Sequence, residues 1–293
     1  MPAHSSVSRR ALLLGGTAGL AALAGAGVLG VEDGALPGRT RLRQLVGQDG
    51  SDPGLPDISA GRLVSGSFTS RYRLGRSCGW TIAYPGRQAE RLPVVIALHG
   101  RGGSHTSSFG NDLGLQRFLA AGGHRFAIAS IDGGDTYWHR RATGEDAGAM
   151  VIEEFLPLLA SHGLDTARLG LLGWSMGGFG ALWLAGRLGP GKLAAVAAES
   201  PAIWHQAGQT APGAFDDPAD FAAHDVFSHP EWITGIGVRI DCGTDDGFCP
   251  AARDYAALIK PKPAGGFQAG AHTQAYWRAR APEQLAFLSG HLS

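Results

Sequence analysis

Charge is scarce in this chain: 25 Lys and Arg stand against 25 Asp and Glu in 293 residues, and the net charge is zero. A polyanionic partner favours a basic excess, so nucleic acid is not an expected partner. Cysteine is scarcer still, with Cys78, Cys242 and Cys249 alone. That excludes a scaffold built on disulfides. There is no Cys-x-x-Cys pair and no His/Cys cluster at zinc-like spacing, so neither a metal nor an organic cofactor is expected. Cys242 and Cys249 are close enough in sequence to pair where disulfides persist, which would leave Cys78 free. Glycine, by contrast, is abundant at 46 residues. It has no collagen-like period and apolar content is normal, so the chain reads as globular and rich in loops.

Residues 1–30 differ from the rest. The polar MPAHSSVSRR, with its paired arginines, precedes the uncharged ALLLGGTAGLAALAGAGVLG. This is the layout of an export signal, with small-residue cleavage options at Ala22-Leu23-Ala24 or Ala24-Gly25-Ala26. SRRALLLGG looks like a twin-arginine signal, and its Gly/Ala-diluted apolar core suits that route. The alternative is an uncleaved anchor, because ~20 apolar residues can span a bilayer. Either reading takes the chain through export machinery and leaves its body outside the cytoplasm, with membrane association if the segment stays uncleaved. Residues 31–60 lack apolar periodicity, are punctuated by Gly and Pro, and read as a linker. One further domain, residues 61–293, is expected, without internal repeats.

RLVSGSFTSRY and CGWTIAYPG are β-rich runs that suit an antiparallel pair. The pattern then alternates. LPVVIALHG, FAIASIDGG, RLGLLGW, LAAVAAESP and GVRIDCG read as strands, and GGFQAGA as one more. GEDAGAMVIEEFLPLLASHG, MGGFGALWLAGRLG, AARDYAALIK and TQAYWRARAPEQLAFLSGHL read as helices. Pro282 predicts a kink or break in the last. Strands apolar on both sides, alternating with helices, imply a mostly parallel sheet covered on both faces. Ligands in such sheets sit beyond the carboxyl ends of the strands.

At one such end stands Gly173-Trp174-Ser175-Met176-Gly177, a G-x-S-x-G run between a predicted strand and a predicted helix. A turn that tight strains the serine backbone and leaves no room for side chains two positions away. It lifts the hydroxyl off the sheet at a helix N-terminus, where a developing anion is favoured. The bland alternative is that Ser175 merely caps the helix. A serine nucleophile needs a general base. Among eleven histidines, His272 satisfies the chain order Ser, acid, His expected of this architecture. The acid that orients the imidazole is sought in CGTDDGF, where Asp246 is favoured and Asp245 is the alternative. An oxyanion needs donors. The Met176 N–H follows the nucleophile, and LHGRGGSH supplies a second from Arg101, with Gly102 as the alternative.

With these motifs in hand, the sequence resembles the esterase D / antigen 85 group of serine esterases over residues 62–291. The resemblance rests on GSFTSRY, GWTIAYPG, LHGRGG, IDGGDTYWH, GWSMGG, ESPAIW, CGTDDGF and AHTQAYWR. It implies an α/β-hydrolase fold, with Ser175 as nucleophile, Asp246 of Gly-x-x-Asp-x-Phe as acid and His272 as base. Trp138, His139 and Trp204 follow strand ends and are expected to line the pocket, unless the two tryptophans are packing residues at its wall. Where antigen 85-like transferases carry Asp-Gly-Leu-Arg, this chain has His-Gly-Arg-Gly-Gly, which points toward hydrolysis. The function implied is an exported carboxylesterase acting on a small-molecule or lipid ester. The alternatives are an acyltransferase acting on cell-envelope sugars or lipids, and a non-catalytic binding protein on the same scaffold.

Overall fold

A computed structural model describes residues 52–86 and 91–292. The expected export segment, and most of the expected linker, lie outside the described residues. Eight strands form one sheet: β1 Leu63–Ser70, β2 Arg76–Ala83, β3 Pro93–Leu98, β4 Ala127–Ile131, β5 Asp165–Trp174, β6 Leu193–Glu199, β7 Gly237–Asp241 and β8 Ala264–Gly266. Their order is β1-β2-β4-β3-β5-β6-β7-β8. β2 runs antiparallel to both β1 and β4, and the remaining pairs are parallel.

The chain crosses from β4 over β3 to reach β5, so the carboxyl ends of β3 and β5 lie side by side, with Leu98 opposite Gly173. That reversal of winding opens the crevice in which such sheets hold ligands. Successive side chains of a strand face opposite sides. Val94, Ile96 and Leu98 enter one core, and Val95 and Ala97 the other. The first core is roofed by α2, which runs from Ala147–Met150 through a π-turn at Val151–Phe155 to Leu156–Ser161, and by α3, Met176–Leu188. The second is roofed by α1, Leu115–Ala121, and by the final helix α6, Gln274–Leu292. Two shorter helices complete the set used below: α4, Pro218–His224, and α5, Cys249–Leu258.

The structure departs from the sequence expectations in four places. The last helix is continuous through Pro282. Its buried face, Ala281, Leu285 and Leu288, is held on the sheet and keeps the helix going where the missing N–H would otherwise release it. The strand expected over GGFQAGA shrinks to Ala264–Gly266. Residues 52–62 lack helix and strand but are tied to the body, through Arg278 on the Asp52 carboxylate at 2.5 Å and Leu55 against the second core. All three cysteines are buried free thiols, with no bond between Cys242 and Cys249. The two thiols are in hydrogen-bonding contact, which lowers the Cys249 pKa to about 7. Among the described residues, no helix is long and apolar enough to cross a membrane.

Candidate active site

Ser175 links β5 to α3 with φ 56° and ψ −122°, a backbone conformation that is costly for a residue with a side chain. Its neighbours show why it is accepted. A Cβ on Gly173 would lie 2.1 Å from the Gly177 carbonyl oxygen, and one on Gly177 would lie 2.0 Å from that of Leu98. Both obstacles are backbone, so only glycine fits either place. The turn is pinned on each side, with the Ser175 N–H donating to Glu199 O at 3.0 Å and the Ala202 N–H donating to Ser175 O at 3.0 Å.

The exposed hydroxyl meets the loop that follows β8. Ser175 Oγ lies 2.9 Å from His272 Nε2, and His272 Nδ1 lies 2.8 Å from Asp246 Oδ2. Asp246 is almost wholly buried, with 1% of its side chain exposed. Its other oxygen accepts the Phe248 N–H at 2.9 Å. Burial alone would raise the Asp246 pKa. The His272 hydrogen bond and charge, the Phe248 N–H and the Ser200 hydroxyl outweigh it and hold the carboxyl below its usual range. The His272 ring bonds Asp246 and not its neighbour Asp245, whose backbone N–H donates to Gly270 O at 2.9 Å. His272 is flanked by Phe248 and Trp277, whose ring centroids lie 5.3 and 5.0 Å away.

The loop after β3 is braced from beneath. His99 is wholly buried. It accepts the Gly133 N–H on Nε2 at 2.9 Å and donates from Nδ1 to Gly100 O at 2.8 Å. Burial lowers its pKa, in keeping with this neutral tautomer. Asp132 holds the far side of the loop through the His105 N–H and ring. Gly102, the alternative oxyanion donor, spends its N–H on Asp135 Oδ1 at 2.6 Å. Met176 opens α3, where first-turn N–H groups have no partner within the helix. A cavity of about 330 Å³ joins these parts, lined by Arg101, Leu113, Trp174, Ser175, His272 and Trp277 among others.

A family model described as "Putative esterase" matches residues 72–288 of the chain. The chain belongs to that esterase family. It is a carboxylic ester hydrolase with an α/β-hydrolase fold. Similar solved structures include an S-formylglutathione hydrolase from Agrobacterium tumefaciens, 18% identical with TM-score 0.67, covering 82% of this chain and 99% of that one. The fluorophosphonate-binding serine hydrolase FphF of Staphylococcus aureus, substrate bound, is 19% identical with TM-score 0.65, covering 79% and 99%. A ferulic acid esterase of Anaeromyces mucronatus, in complex with ferulic acid, is 19% identical with TM-score 0.63, covering 83% and 94%. None of the curated proteins compared matches the chain.

Of the three aromatic and histidine residues expected at the pocket, the esterase structure brings one near it. Trp204 is half-buried and packs on Phe248, centroids 5.5 Å apart, behind His272. Trp138 and His139 have no exposed surface. Trp138 lies against His99 and Gly180, and His139 stacks on Phe215. The reason is local: Tyr137 and Trp138 take φ of 54° and 61°, a left-handed kink that turns the chain under α3 rather than out to the cavity. Sequence reasoning missed Ser200. Fully buried at φ 44°, it receives the Trp277 indole N–H at 3.1 Å and hydrogen-bonds Asp246. Its one signal was its place directly after a strand end.

Proposed function

We propose that this esterase is an exported serine carboxylesterase in which Ser175, His272 and Asp246 form the triad of an acyl-enzyme mechanism. The observation that carries the reading is the unbroken relay from Ser175 Oγ to His272 at 2.9 Å and on to Asp246 at 2.8 Å. Asp246 keeps a proton on His272 Nδ1, so Nε2 faces the serine with a lone pair. As Ser175 Oγ attacks the ester carbonyl, Nε2 takes its proton. The imidazolium so formed is stabilised by a carboxylate that stays ionised, because its pKa is depressed. The new oxyanion is received by the N–H groups of Met176 and Arg101. His272 returns the proton to the departing alcohol. Water then attacks the acyl-enzyme by the same route and releases the acid. No step needs a metal or an organic cofactor.

The cavity of about 330 Å³ is at the small end for ligand sites, which supports a short or flat acyl group. Trp174, Trp277 and Leu113 offer it an apolar wall, and Arg101 and Gln274 a polar rim. Structural relatives named for ferulic acid and for S-formylglutathione make aryl esters and a small thioester the first candidates. Export is supported by the paired arginines and uncharged run of residues 1–30.

The test is turnover of short-chain p-nitrophenyl esters, methyl ferulate and S-formylglutathione by the mature protein, with Ser175→Ala as control. Hydrolysis lost in the variant supports the proposal. Tight ester binding without turnover would replace it with a binding role. Ester formed on an added sugar or lipid acceptor, at the expense of free acid, would replace it with acyl transfer.

A further inference from the structure

His139, wholly buried, meets two groups from α4 that lie far along the chain. Its Nδ1 is 3.6 Å from Asp220 Oδ1, and that same oxygen is 2.9 Å from His224 Nδ1. One ligand atom from each of the three residues lies within 4.8 Å of the other two. Asp220 and His224 are four residues apart, one above the other on one helix face. Around them is an apolar shell. Phe215 stacks on the His139 ring at 5.1 Å, and Trp183 meets the His224 ring edge-on at 4.7 Å.

Hydrogen-bond accounting leaves His139 with a surplus of acceptors. Its Nε2 faces Ala214 O at 3.1 Å, while its Nδ1 faces Arg140 O at 2.9 Å and the Asp220 carboxylate. A neutral imidazole carries one N–H and satisfies one side only. Charging the ring would bury a cation whose counter-ion, the Asp220 carboxylate, stands 3.6 Å away, beyond hydrogen-bond length. A metal ion on the Nδ1 side, with Nε2–H donating to the Ala214 carbonyl, sets a cation instead of a shared proton before both the Asp220 carboxylate and Arg140 O. The Nε2–H bond is then the second bond by which metal-bound histidines are oriented.

We propose that His139, Asp220 and His224 form a structural divalent-metal site of zinc type, clamping α4 to the loop after β4. Two imidazoles and a carboxylate are a borderline donor set that suits zinc. Metal–ligand bonds of ~2.0–2.2 Å place tetrahedral donors roughly 3.3–3.5 Å apart, and the Asp220 oxygen lies 2.9 and 3.6 Å from the Nδ1 atoms of His224 and His139. His224 Nδ1 also lies 2.8 Å from the Asp220 carbonyl oxygen, to which it donates, so a metal must displace that proton and binding weakens in acid. The site shares no residue with the Ser175 relay.

The full mature protein is stripped with a chelator and titrated with Zn²⁺ while bound metal and melting temperature are followed. One equivalent binds per chain, and the melting temperature rises roughly 5–10 °C at a hundredfold excess over Kd. His224→Gln and Asp220→Asn melt near the stripped wild type and lose both the equivalent and the rise. Ester turnover of the stripped protein at room temperature stays within about twofold of the loaded protein, as a clamp remote from the chemistry requires. Absence of a zinc-dependent rise in the wild type overturns the proposal without recourse to variants. So does zinc binding that both variants retain, which would place the metal elsewhere.

Discussion

Asp246→Asn separates the relay from every other way of holding His272. Only 1% of the Asp246 side chain is exposed, and one oxygen is committed to the Phe248 N–H. In the variant the amide oxygen keeps that bond, so the amide NH₂ points at His272 Nδ1. A donor there forces the ring hydrogen onto Nε2, the nitrogen that must accept the serine proton. The fold is barely disturbed but the tautomer is wrong. The loss expected is about 10³–10⁴ in kcat/KM, or ~4–5.5 kcal/mol of transition-state stabilisation. Hydrolysis of p-nitrophenyl acetate measures it, with thermal melting as the check on folding. Asp245→Asn, beside it, should cost about threefold or less. An Asp246→Asn enzyme that keeps more than about a tenth of its activity, or an Asp245→Asn enzyme that falls as far, would refute the reasoning.

Two other outcomes follow from the packing. Gly177→Ala drives a Cβ to 2.0 Å from the Leu98 carbonyl oxygen, so it should cost more than about 3 kcal/mol and lower the melting temperature by roughly 6 °C or more; a melting curve that overlays wild type would contradict the elbow geometry. Glu199 is wholly buried beside Asp241 and is bonded by Gln284, with Arg239 and Arg280 acting on it from β7 and α6. Burial first, then the Asp241 charge, raises its pKa well above 4.5. The folded chain therefore keeps a proton that the unfolded chain releases, and stability falls as pH rises from about 4.5 toward the folded-state value. Urea midpoints taken from about pH 5 upward should decline in wild type and decline less in Glu199→Gln; parallel slopes would remove Glu199 as the cause.

The sheet was legible because its central strands are short apolar runs closed by Gly or Pro, as LPVVIALHG and RLGLLGW show. A strand covered on both faces has no other pattern available. The elbow was legible for a sharper reason: Gly173 and Gly177 each stand where backbone leaves no room for a side chain. Chain order selected His272. Asp245 and Asp246 were separable only by the path of the loop, since adjacent residues share one sequence context and differ in which way they face. Trp138 takes the packing place that the sequence left open and His139 is buried rather than at the pocket, because a residue after a strand end can turn outward or under the next helix, and the positive φ that decides it is invisible in non-glycine residues. His139 also lies 81 positions from Asp220, so no local spacing could have gathered the three groups of the candidate metal site.

Fluorophosphonate labelling followed by peptide mapping tests the central claim most directly. The probe should modify Ser175 alone, lose that reaction in Ser175→Ala, and react far more slowly in His272→Ala. An adduct on another residue, or labelling that survives in Ser175→Ala, would contradict the assignment of the nucleophile.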